Sequence, residues 1–215
     1  DPLHEGAFNT FMGDIEPEFI GLDENEGPIN DNYDIEGLGI RDTFDKLVFG
    51  TRLYNKFNNS ITCNGVPTYT TGAVGVGQDN YTFFWYMDTD GDTTNGCSAR
   101  DNSSLNGFEF SFMYKASVDS PITETKVSYQ CIGGSWGAVP IPLSSSSQKM
   151  CDVIGGGMVG IDKNELLKFK TLFNKSKDLR IYATVGNNVR NNSQIIDSID
   201  PTYYSPGAMD FKFED

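Results

Sequence analysis

The chain is short of histidine, of closely spaced cysteines and, over its first forty residues, of any basic side chain. A single histidine, His4, stands among 215 residues, so a hydrolytic triad has only one possible imidazole base. None of the four cysteines sits in a CxxC or CxxCH pair, which counts against a zinc centre, thioredoxin-like redox chemistry and covalent haem. No apolar run approaches the roughly 18 residues that a membrane helix needs, so no membrane span is expected. Residues 1–40 hold eleven Asp and Glu and no Lys or Arg, whereas the remainder sets nineteen acids against sixteen bases. With a net charge of −14, the chain lacks the basic surface that DNA, RNA or an anionic membrane requires. That charge is compatible with divalent cations.

What is abundant points to strands. Aromatics make up 13% of residues, with 15 Phe and 10 Tyr, and there are 23 Gly, a mixture that favours short strands and many turns. The length suits one large domain with a core of its own. Four widely spaced cysteines, Cys63, Cys97, Cys131 and Cys151, read as two disulfides in an oxidising compartment. Three connectivities are open. Cys63–Cys97 with Cys131–Cys151 is favoured, because each closes a moderate loop between neighbouring predicted strands. Asn58, Asn80, Asn102, Asn174 and Asn191 begin N-x-S/T sequons and are candidate glycosylation sites. The first residue is Asp rather than Met, as in a trimmed product. A secreted or cell-surface protein is the expectation.

Residues 1–33 scatter Phe8, Phe11, Ile15, Phe19 and Ile20 among acids, Gly and Pro, without a sustained period. They read as an acidic extended arm packed along a β-sandwich domain spanning 34–215. DIEGLGIRDTFDKLVFGTRLYNKF predicts two strands around a turn at Asp42–Asp45. YTFFWYMD (81–88) is aromatic on both alternating faces, as a strand buried on both sides would be, and makes Trp85 a core residue. GFEFSFMYK (107–115) predicts its hairpin partner, with Phe108, Phe110, Phe112 and Tyr114 on one face and Glu109 and Met113 on the other. KVSYQCIGGSW, IGGGMVGI, DLRIYATVG and AMDFKFED continue the strands. One short helix is expected near 163–170, capped by Asp162 with Glu165 three residues on and with Leu166, Leu167 and Phe169 on one apolar side. The fold class is all-β, a two-sheet antiparallel sandwich of jelly-roll or immunoglobulin-like order.

The chemical interest lies in WYMDTDGDTTNGC, where Asp88, Asp90 and Asp92 alternate after an aromatic strand. Calcium takes six to eight oxygens from carboxylates, amides and backbone, and Asn95 and Glu109 complete a candidate set. An EF-hand loop is excluded, because Gly91 falls at its fourth position and Ala99 at its twelfth. The alternative is an Asx turn in which the aspartates bond local amides. Mutual repulsion among the carboxylates favours a cation. GGSWG (133–137) matches G-x-S-x-G, but VPIP follows it where a nucleophile elbow needs a helix. GAVGVG and IGGGMVG lack the lysine and hydroxyl of a phosphate loop and read as bulges and close-packed turns. No paired carboxylates stand out for glycoside hydrolysis, and the chain is not expected to be an enzyme.

The order of these pieces resembles the extracellular DOMON-like and family 9 carbohydrate-binding-module-like sandwiches. The resemblance rests on Asp88, Thr89, Asp90, Gly96, Gly107 and Glu109, on the upstream hairpin from Asp34, and on Trp136 followed by Ile141, Pro142 and a short helix. It implies a non-catalytic sandwich, sometimes calcium-stabilised, that binds sugar, haem or a surface. Haem-binding members use Met or His ligands, and His4 lies in the arm. Trp136, Tyr203 and Tyr204 are the candidate sugar-stacking residues for a polysaccharide or glycan partner. A second expectation is a structural one: a filament or surface-layer subunit whose arm self-associates by adding a strand to a neighbour.

Overall fold

Apolar alternation with period two builds two antiparallel sheets, seen in a computed structural model that describes residues 18–22, 35–53, 80–117, 124–150, 153–174, 177–189 and 192–204. The first sheet runs β1 (Glu18–Leu22), β2 (Ile35–Asp42), β3 (Lys46–Leu53), β9 (Val153–Asp162), β8 (Leu143–Met150). The second runs β11 (Asn192–Tyr204), β10 (Leu179–Val189), β4 (Asn80–Asp88), β5 (Phe110–Ser117), β6 (Glu124–Ile132), β7 (Ser135–Val139). The protein is a two-sheet β-sandwich, with one short α-helix among the described residues, α1 (Lys163–Leu167). No helix among the described residues is long and apolar enough to cross a membrane.

The core lies between the sheets. Leu38, Ile40, Phe49 and Ile161 on one side meet Phe83, Trp85, Phe110, Phe112 and Val185 on the other. Phe49 stacks on Phe112 across the gap, with ring centroids 5.7 Å apart. The buried Trp85 satisfies its indole by donating to Thr51 Oγ1 at 2.8 Å, so the only polar atom of a large side chain costs little to bury. The run IGGGMVG is strand rather than turn, and at Gly157 its bare backbone admits the opposite sheet. A Cβ there would meet two Phe83 ring carbons at 2.7 and 2.8 Å.

The outer face of the second sheet carries a satellite core of Phe84, Tyr86, Ala99, Phe108 and Tyr182. Segment 97–106 lies over it. Arg100 sits over the Phe84 and Tyr129 rings, 5.3 and 4.2 Å from their centroids, and its N–H donates to Tyr86 Oη at 3.2 Å. Tyr182 donates to Asp101, and Trp136 Nε1 to the Ser98 carbonyl at 2.9 Å. Burial raises both the Tyr86 and the Tyr182 phenols above their ordinary range. Strand β4 is thus buried on both faces, as its aromatic run implies.

Four sequence expectations change. The disulfide joins Cys97 to Cys131, in place of the pairings Cys63–Cys97 and Cys131–Cys151. The physical reason is register: Glu109 N–H donates to Met87 and its carbonyl accepts from Cys131, which brings the loop after β4 beside the end of β6. Cys63 and Cys151 lie outside the described residues. Phe108 faces the satellite core while Phe110 faces the main one, because the chain bends at Glu109 and breaks the alternation. Leu166 is buried, but Leu167 of the expected apolar helix face is exposed. Strand β11 was not expected, since its sequence is polar and contains Pro201; it is an edge strand, and Pro201 falls in a register shift where no ladder amide is needed. The strand expected over 208–215 lies outside the described residues.

Candidate metal centre

The corner where β4 ends is built by main-chain geometry. Asp88 closes β4 opposite Arg180 of β10, and the chain then turns through Gly91 and Gly96, both at positive φ. At Gly107, with φ of +90°, a Cβ would meet Thr93 Cα at 2.6 Å and the Asp92 carbonyl at 2.8 Å. Only glycine lets the outgoing and returning chain approach so closely. This crossing sets the Glu109 carboxyl beside Asp88 and Asp90.

Asp88, Asp90 and Glu109 form one cluster, each with a carboxylate oxygen within 4.8 Å of the other two. Asp88 is buried, and its Oδ1 accepts from the N–H groups of Asp90 at 3.2 Å and Gly91 at 2.7 Å. Its Oδ2 accepts from Arg180 Nε at 3.0 Å. Arg180 also donates to the Asn106 carbonyl and lies over the Phe108 ring. Burial raises the Asp88 carboxyl above its ordinary range, against the Gly91 amide and the Arg180 charge, which lower it.

Glu109 is the most unusual group. It is 6% exposed; Oε2 accepts from Thr89 N–H at 2.7 Å and Thr89 Oγ1 at 3.1 Å, and Oε1 is buried with no hydrogen-bond partner. Burial pushes its carboxyl up to about 7, Thr89 N–H opposes the rise, and the charges of Asp90 and Asp88 add to it. A buried acceptor without a donor carries an uncompensated desolvation cost, which a cation would remove.

The other expected ligands separate from these three. Asp92 is exposed, and Thr94 N–H and Oγ1 both donate to its Oδ1, at 2.9 and 2.6 Å, lowering its pKa. That is the Asx-turn alternative, and it recurs along the loop: Asp92 N–H donates to Asp90 Oδ1 at 2.9 Å, as Asp90 N–H does to Asp88. Asn95 is exposed and donates through Nδ2 to Asp90 at 3.0 Å and Asp92 at 3.3 Å. Asp88 and Asp90 keep lone pairs beyond their present bonds, so the residues fit a hard oxygen-seeking cation. Sequence reasoning missed Arg180, which supplies Asp88 with a positive charge from 92 residues away. Only strand register, invisible in a linear reading, pairs them.

The candidate sugar-stacking residues are not brought together. Trp136 lies on β7 and is half-buried, whereas Tyr203 and Tyr204 lie on β11 at the opposite edge of the same sheet. Tyr203 is exposed and Tyr204 is part of the main core. Among the sequons, Asn102 is half-buried and its Oδ1 accepts from Ser104 N–H and Oγ, while Asn174 is exposed. Asn80 begins β4; Asn58 and Asn191 lie outside the described residues. In GGSWG, Gly133 and Gly134 form the β6–β7 hairpin turn, at φ of 59° and 78°, and the remaining three residues begin β7.

Compared with known proteins, the chain matches no family model, no curated protein and no solved structure. The class defined here is therefore structural: a two-sheet antiparallel β-sandwich with a stapled acidic corner.

Proposed function

We infer that the chain is a non-catalytic, secreted or cell-surface β-sandwich module whose corner at Asp88, Asp90 and Glu109 takes a calcium ion. The observation that carries this reading is Glu109 Oε1, a buried carboxylate oxygen with no hydrogen-bond donor beside two further carboxylates. Calcium would neutralise the cluster and tie the loop after β4 to Glu109, the residue that leads into β5. Its role is to brace the fold, and the module's work lies in binding or assembly. The test is thermal unfolding with calcium against EDTA. A rise of several degrees that Glu109→Gln abolishes supports the reading, and superimposable melts refute it.

Of the two uses, assembly has a specific observation in its favour. Strand β1 belongs to the acidic arm and pairs antiparallel with β2 at the edge of the first sheet. At Gly21 it also approaches β11 so closely that a Cβ would meet Thr202 Oγ1 at 2.6 Å. Donated to a neighbouring copy, the same strand would link subunits through main-chain bonds. Light scattering of the full chain beside one lacking residues 1–33 decides this. Concentration-dependent oligomers of the full chain alone support assembly; two monomers leave a glycan or other surface ligand as the module's partner.

A further inference from the structure

At the end of the first sheet a lysine and an aspartate meet in a setting unlike an ordinary surface ion pair. Asp42 is the last residue of β2 and Lys163 the first of α1. Lys163 Nζ is in direct contact with the Asp42 carboxyl group, and the two side chains are 15% and 2% exposed. Neither carboxylate oxygen of Asp42 accepts a hydrogen bond. An ammonium that merely neutralises a carboxylate seats its N–H groups on the oxygen lone pairs. Contact without that geometry is how a nitrogen approaches the carboxyl carbon.

Both partners are held in place by backbone. The β2–β3 turn is closed by Thr43 N–H donating to the Lys46 carbonyl at 2.8 Å and Lys46 N–H to Thr43 Oγ1 at 2.9 Å. The Asp45 carbonyl of that turn accepts from Lys163 N–H at 2.9 Å. Asp162 caps the helix by accepting from Asn164 N–H at 2.8 Å. Fixed placement of two reacting groups removes much of the barrier to joining them.

We propose that Asp42 and Lys163 become joined by an intramolecular isopeptide bond, formed by the folded chain itself. Proton transfer within the pair gives a neutral amine and a carboxylic acid. Lys163 Nζ attacks Asp42 Cγ, the C–N bond forms, and the carbon–hydroxyl bond breaks. The hydroxyl leaves with a proton from the nitrogen as water, so no oxidant, cofactor or second substrate enters. The amide replaces two desolvated charges by one neutral group, which removes the cost of keeping an ion pair out of water. The link would close a covalent loop around strands β3 to β9. It stands independently of the calcium and assembly readings.

Intact mass of the full chain, reduced and freed of any glycan, tests this directly. A mass lower than the sequence by one water, with a branched tryptic peptide joining the Asp42 and Lys163 segments, is the expected result. Lys163→Arg keeps the positive charge and should restore the full mass. Asp42→Asn should still cross-link, with loss of ammonia in place of water. A wild-type chain of full mass that trypsin cuts after Lys163 overturns the proposal. So does a water loss that maps to any other residue.

Discussion

Arg180 Nε donates to Asp88 Oδ2 across 3.0 Å, and the two residues face each other in register on β10 and β4. Both are buried, so neither charge has water to fall back on. Removing the cation strands a carboxylate in the sandwich wall, at a cost of about 3–5 kcal/mol. Chemical unfolding of Arg180→Met in EDTA should show that loss. The pairing with Asp88→Asn should recover part of it, because the orphaned charge goes too. A single variant within about 1 kcal/mol of wild type would contradict the account.

Glu109 makes stability depend on pH in a definite direction. Its folded pKa lies near 7, above the ordinary 4.5, so between those values the folded state holds a proton that the unfolded chain has lost. Stability therefore falls through this group as pH rises from about 4.5 to about 7, by up to about 3 kcal/mol. Glu109→Gln removes the term. In EDTA the difference in melting temperature between variant and wild type should shift in the variant's favour across that window. Calcium affinity of the wild type should weaken below pH 7, as protons compete for Oε1. A pH-independent difference would sink this reading.

The Cys97–Cys131 bond, 34 residues apart in sequence, fastens the segment that covers Tyr86 and Tyr182. Replacing both cysteines by Ser should cost about 3–4 kcal/mol, the loop-closure value for that separation. The change should also be local. Spectrophotometric titration should find the two phenols moving down toward their ordinary range as water reaches them. Unaltered tyrosine titration would place the hold on the segment elsewhere.

Gly107→Ala tests the crossing that builds the corner. A Cβ there is both strained at φ of +90° and in collision with Thr93 and Asp92. A loss of about 2–4 kcal/mol is expected, together with the calcium response. Gly133→Ala sets the contrast: φ is 59°, but nothing lies within 4 Å of the added carbon, so its loss should stay near 1 kcal/mol.

Much of the sandwich was legible because the relevant signals are local. The alternating aromatics of 81–88, the turn at 42–45 and the Asp162 cap all appear where the sequence puts them. Three features resisted for one shared reason, their dependence on partners distant in sequence. The Cys97–Cys131 bond follows from the register of β4, β5 and β6, and Arg180 reaches Asp88 only through β10. The bend at Glu109 then turns Phe108 away from Phe110, against strict alternation. Of the five expected metal ligands, the crossing at Gly107 gathers Asp88, Asp90 and Glu109, while Asp92 and Asn95 serve the turn itself.

Strand β11 has a consequence for life at high concentration. It borders the second sheet, yet its pairing with β10 shifts register twice, and Pro201 removes one amide altogether. A border so interrupted offers no long row of free donors and acceptors for an identical chain to zip onto. Runaway stacking into fibrils is thereby discouraged on that side. Molecules crowded against one another would meet there as neighbours and not as templates.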